Sequence, residues 1–215
     1  MKPISKNVLV AFLLALFWTT CHTKSDCECG MEEPEIPGSQ SPIVAVMENG
    51  QDFPASKYPW TTFIRLTSPY EGVWKRCTGI LISRQHIITA AYCVTNHRDD
   101  TPFSPSNLAV YLDIHHTSSA WIGFGYGVEK ITIAEGYKYG GKELFHNIAI
   151  LTLREKIEFS KKIHPICMPK SGEKNIINHS DLTMVGWTSY FWGYSASHAL
   201  LNYIEPEECR EHGQI

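Results

Sequence analysis

No apolar run in this sequence is long enough to cross a bilayer as a helix. The one sustained run, Val8 to Trp18, follows a short basic region (Lys2, Lys6) and gives way to "TTCHT" from Thr19 to Thr23. That layout predicts a signal peptide over residues 1–23, cleaved near Cys21 or Thr23, and hence a secreted, extracellular chain with no membrane span. A buried N-terminal core helix is the other reading of the same letters.

Basic charge is scarce as well. Lys and Arg number 19 against 22 Asp and Glu, a formal charge of -3. Loss of Lys2 and Lys6 with the signal leaves 17 basic residues against 22 acidic, or -5. No basic patch recommends nucleic acid or an anionic membrane surface as a partner. There is no Lys or Arg between Lys24 and Lys57. Internal repeats at solenoid or propeller periods are absent too. Hydrophobic residues make up 43% of the chain, enough for a buried core, and the length allows one or two domains.

Zinc-ligand spacing is missing. "CEC" at Cys27 to Cys29 has no partner pair of cysteines or histidines at metal distance, so neither a metal nor a cofactor is predicted. Cys21 lies at the signal boundary, and six cysteines remain: Cys27, Cys29, Cys77, Cys93, Cys167 and Cys209. An even count in a secreted chain favours disulfides, with connectivity left open by the count alone. His115 and His116 are adjacent, so on a strand they would point apart and make a poor ligand pair.

What is present is a series of short strand-like runs. An acidic segment with proline and glycine comes first (Ser25 to Ser41, within residues 24–46) and reads as an extended stretch before the domain. Then follow "TTFIRLT" (61–67), "CTGILIS" (77–83), "HIITA" (86–90), "NLAVYLDI" (107–114), "VEKITIAE" (128–135), "NIAILTL" (147–153) and "DLTMVGW" (181–187). Many short strands between turn residues, with hardly any helical period, predict an all-β barrel or sandwich. Only "EPEECREH" (205–212) looks like a helix start. "GYSAS" (193–197) reads as a serine-bearing turn, and "NHS" places an N-glycosylation sequon at Asn178.

Five stretches in order, "YPWTTFI" (58–64), "CTGILISRQHIITAAYCV" (77–94), "HNIAILTL" (146–153), "IHPICMP" (163–169) and "MVGWTS" (184–189), resemble the chymotrypsin-like (trypsin-like) serine proteases. The resemblance runs from about Met47 to the last residue. It implies two antiparallel β barrels with an active site in the cleft between them. The chemistry of that family needs a serine nucleophile, an imidazole base, and a carboxylate that orients the imidazole.

Each of those positions departs from the family pattern. Where the family has the histidine of "TAAHC", this chain has Tyr92, a phenol that stays protonated at neutral pH. Where the family has the aspartate of "NDIALL", this chain has Asn147. In a member of the family that acid-to-amide change alone lowers kcat by roughly 10⁴. His146 is a poor substitute, since neighbours on an extended segment face opposite ways. No "GDSGGP"-like segment, which would supply the serine and the oxyanion hole, occurs before Ile215. No basic residue precedes "MENG" (47–50), or Ile43 and Val44, so tryptic-type activation looks closed.

The resemblance further implies a Cys77–Cys93 bridge, worth typically about 3 kcal/mol for such a loop. It implies that Cys167 pairs with Cys27 or Cys29. Cys209 either takes the remaining one of those two or is free. It also implies a complete first barrel and only the opening strands of the second, so that residues 47–215 form a partial peptidase domain with an open edge. Such an edge would be poorly ordered alone, would need a partner, or would belong to a longer product. Three readings follow. The first is a pseudoprotease binding a protein partner such as a protease, inhibitor or substrate. The second is a fragment or variant of an active endopeptidase, and the third is an unstable fragment.

Overall fold

The computed structural model describes residues 29–31, 51–53, 56–68, 73–117, 125–139, 144–169, 182–190 and 193–202. The predicted signal peptide, Cys21, Cys27, Asn178, Cys209 and the helix start at 205–212 lie outside them.

Eleven strands follow in chain order: β1 (Gln51–Asp52), β2 (Thr61–Ser68), β3 (Val73–Ser83), β4 (His86–Thr89), β5 (Leu108–Tyr111), β6 (Tyr126–Ile133), β7 (Lys138–Tyr139), β8 (Leu144–Phe145), β9 (Ala149–Leu153), β10 (Leu182–Tyr190) and β11 (Gly193–Leu201). Two short 3₁₀ turns sit at Ala91–Cys93 and Pro105–Asn107, and no α-helix occurs among the described residues. The fold is all-β.

Six strands close into a barrel in the order β2-β3-β4-β9-β6-β5, every pairing antiparallel. The alternating letters of β9 explain its place: Ala149, Leu151 and Leu153 are fully buried while Ile150 and Thr152 lie between them, half-covered. Leu66, Leu81, Ile87, Val110 and Val128 join them in the interior. Burying such a side chain stabilises by about 1.5–3 kcal/mol each. Gly79 on β3 lets the walls approach: a Cβ there would lie 2.6 Å from Ile87 Cγ2 and 2.6 Å from Thr62 Oγ1.

A second, open sheet has the order β1-β11-β10. It docks on the outside of the barrel through Trp187, whose Nε1–H donates to the Thr62 carbonyl at 3.1 Å and whose ring meets Phe63 edge-on at 5.2 Å. Residues 193–197, expected as a turn, belong instead to β11, and Ser195 and Ser197 are buried. The strand is covered on both faces over Ser195–Ala199, so its period-two signal is lost. The architecture is one closed barrel and part of a second sheet.

Candidate functional site

Strands β4 and β9 are antiparallel neighbours, with Thr89 opposite Ala149 at one end of the ladder. Tyr92 lies three residues past Thr89, in the 3₁₀ turn, and Asn147 two residues before Ala149. The register therefore delivers both to one end of the barrel. There the main-chain N–H of Tyr92 donates to Asn147 Oδ1 at 2.9 Å. His146 has φ +49°, left-handed rather than extended, and is exposed beside this contact.

The Tyr92 ring is packed into a cluster. It stacks on His97 with centroids 4.2 Å apart and planes at 12°, and Tyr139 leans in at 5.9 Å from Tyr92 and 5.0 Å from His97. Lys75, from β3, places Nζ 4.8 Å from the Tyr92 ring centroid and 5.1 Å from that of Phe103. Its ammonium donates to the Tyr92 carbonyl at 2.8 Å and the Thr95 carbonyl at 2.6 Å, with His97 Nδ1 at 3.5 Å. Burial lowers Lys75 to about 8, although both carbonyls favour the charged form. His97 is also held below its ordinary value, first by burial and then by the Lys75 cation, against an opposing pull from Asp100. Asp100 in turn accepts from the Tyr139 N–H with both oxygens, at 3.2 and 3.3 Å.

This cluster can stack, donate and hold a charge at one end of the barrel. Lys75, His97 and Tyr139 carried no motif. The signal that could have found Lys75 is its place two residues before Cys77, whose sulfur bonds Cys93 next to Tyr92.

Two disulfides are formed among the described residues. Cys77–Cys93 ties β3 to the 3₁₀ turn, and Cys29–Cys167 joins residues 138 apart in sequence. Of the two candidates for Cys167, the partner is Cys29. Gly30, at φ +67°, allows the approach, since a Cβ there would stand 3.0 Å from Cys167 Sγ.

The histidine pair behaves differently from the strand expectation. His115 and His116 lie past the end of β5 and their rings stack at 4.0 Å with planes at 17°, so they do not point apart. His115 Nε2 is buried without a hydrogen-bond partner, and burial, then the His116 charge, lowers its pKa against the opposite pull of Asp52. No group of three or more potential metal ligands occurs among the described residues.

The closed six-stranded barrel and the partial second sheet are those of a chymotrypsin-like fold. The family profile described as trypsin matches residues 47–215, and the chain belongs to that family. It is 28% identical over 149 residues to phenoloxidase-activating factor 1 of Holotrichia diomphalia, covering 65% of this chain and 40% of that protein. It is 24% identical over 209 residues to a venom serine protease of Polistes dominula, covering 95% of this chain and 69% of that one. With the proclotting enzyme of Tachypleus tridentatus it shares 27% over 191 residues, 83% of this chain and 49% of that one. The chain thus spans about half the length of most such relatives. No helix among the described residues is long and apolar enough to cross a membrane.

Proposed function

We propose that this chain is a secreted serine-protease homologue that binds protein and does not cleave peptide bonds. The observation that carries this reading is the Tyr92–Asn147 contact. At the place where the family chemistry needs an imidazole oriented by a carboxylate, a phenol is stacked on His97 and an amide oxygen accepts from the main chain. A phenol does not replace an imidazole as the acceptor of a serine proton. In this reading residues 1–23 are the signal peptide, 24–46 an acidic propeptide-like segment and 47–215 the peptidase-like domain, with a glycan at Asn178. The partner is an active relative of the family, its inhibitor or its substrate, engaged as decoy or modulator.

A covalent serine-hydrolase probe applied to the secreted protein tests the reading. No labelling is expected. Labelling, or turnover of a peptide substrate, that disappears on mutating one residue of this chain would overturn it. Pulldown from the native secretions should enrich a protein over a control bait. The names of the relatives, a venom serine protease and a proclotting enzyme among them, support the alternative that this sequence is part or a variant of a serine endopeptidase. Labelling of this chain by the probe would favour that alternative.

A further inference from the structure

Arg65 on β2 and Arg76 on β3 are direct cross-strand partners. Like charges placed opposite one another on antiparallel strands repel. Neither arginine forms an ion pair with a described residue. Each guanidinium lies instead over a phenol ring, Arg65 Cζ 5.2 Å from the centroid of Tyr111 and Arg76 Cζ 5.0 Å from that of Tyr194. Arg76 Nη1 also donates to the Tyr194 hydroxyl at 3.2 Å.

The two tyrosines share a support. Phe63, two residues before Arg65 and so on the same face of β2, meets Tyr111 at 6.3 Å and Tyr194 at 5.9 Å between centroids. Phe63 and Tyr111 are buried, Arg65 is half-buried and Arg76 exposed. A fixed aromatic floor from β2, β5 and β11 therefore carries two cations. A guanidinium held over a ring in this way keeps further N–H groups, and it is the N–H fork that grips an oxyanion at two points. An anion shared by both would relieve their repulsion. Because Arg76 is exposed, a free oxyanion would keep much of its water, whereas a carboxylate borne on a peptide adds contacts from its own chain.

We propose that Arg65 and Arg76 form a two-guanidinium site for a carboxylate on an acidic segment of a partner protein. The proposal deepens the binding reading above and rests on it for the partner; the chemistry of the site rests on the arginine pair. The test is fluorescence anisotropy of a short labelled Glu-rich peptide titrated with the full chain at low salt. The same peptide with Gln in place of Glu serves as control.

Saturable binding of the Glu peptide and not the Gln peptide is expected. The R65Q/R76Q double variant should weaken it roughly tenfold or more, as loss of charge-assisted hydrogen bonds requires. R84Q removes a cation of the same sign elsewhere and should leave binding within about twofold. R65K/R76K keeps the charge and loses the fork, so it should fall between. Thermal melts of every variant check folding. Equal binding by folded wild type and R65Q/R76Q, or by the two peptides, would overturn the proposal. So would thermal protection by free sulfate that depends on both arginines, with no peptide binding. Labelling by a serine-hydrolase probe would remove the pseudoprotease role and leave this result untouched.

Discussion

The main-chain N–H of Tyr92 donates to the side-chain oxygen of Asn147 at 2.9 Å, so the 3₁₀ turn and the residues before β9 are joined to each other. The contact crosses from the turn after β4 to the residues before β9, 55 positions apart in sequence. Asn147→Ala should remove the acceptor and cost about 1 kcal/mol in urea unfolding. Asn147→Asp keeps an acceptor oxygen and should stay within about 0.5 kcal/mol of wild type. An equal loss for both would mean that the amide N–H₂ of Asn147, not its oxygen, is what stabilises the turn.

The two disulfides make a second prediction. Peptide mapping without reduction, with cleavage after Glu28, should recover Cys77–Cys93 and Cys29–Cys167, with Cys27 absent from any peptide linked to Cys167. Replacing both Cys77 and Cys93 by Ser should cost about 3 kcal/mol, the loop-closure entropy of a bridge this short. A Cys27–Cys167 linkage in the map would overturn the assignment.

Much of the barrel was legible because its strands are half-buried and alternate. "NIAILTL" gave β9 almost in full, with Ala149, Leu151 and Leu153 inward. "CTGILIS" located β3 but not its start at Val73, because "VWKR" carries two charges where the strand pairs with β2 and not with β4. β11 was missed for the opposite reason: with five consecutive buried residues it has no alternation to read, and "GYSAS" resembles a turn. At the candidate site, Tyr92 and Asn147 were found by motif. Lys75, His97 and Tyr139 were not, since only the folded chain brings β3, the turn and β7 to one place.

Gly79 tests the packing of the barrel wall. Gly79→Ala would press a methyl against Ile87, Thr62 and Ile64 at 2.6 to 2.7 Å, so side chains on β2 and β4 must shift. Overpacking of this kind costs roughly 1–3 kcal/mol. Gly127→Ala on β6 meets only the flexible Arg154 side chain, nearest at 3.3 Å, and should cost less. Thermal melts of the two variants compare them directly, and equal shifts would show that the wall at Gly79 relaxes.

The Lys75–His97 pair makes stability depend on pH in two separate windows. Lys75 titrates near 8 when folded against 10.5 when exposed, so between those values the unfolded chain binds more protons than the folded one. Stability should then rise with pH from about 8 to 10.5, because slope and proton excess share a sign. His97 is also held below its ordinary 6.5, so its contribution is present above that pH and is lost as the pH falls through its folded value. Thermal melts from pH 5 to 10.5 on wild type, Lys75→Met and His97→Gln would separate the two. Lys75→Met should flatten the alkaline rise while lowering stability at pH 7, where the ammonium still holds the Tyr92 and Thr95 carbonyls. His97→Gln should flatten only the acid limb. An alkaline rise unchanged by Lys75→Met would place the titrating group elsewhere, and a fall in wild-type stability from 8 to 10.5 would mean that the two carbonyls and the Tyr92 ring outweigh burial at this ammonium.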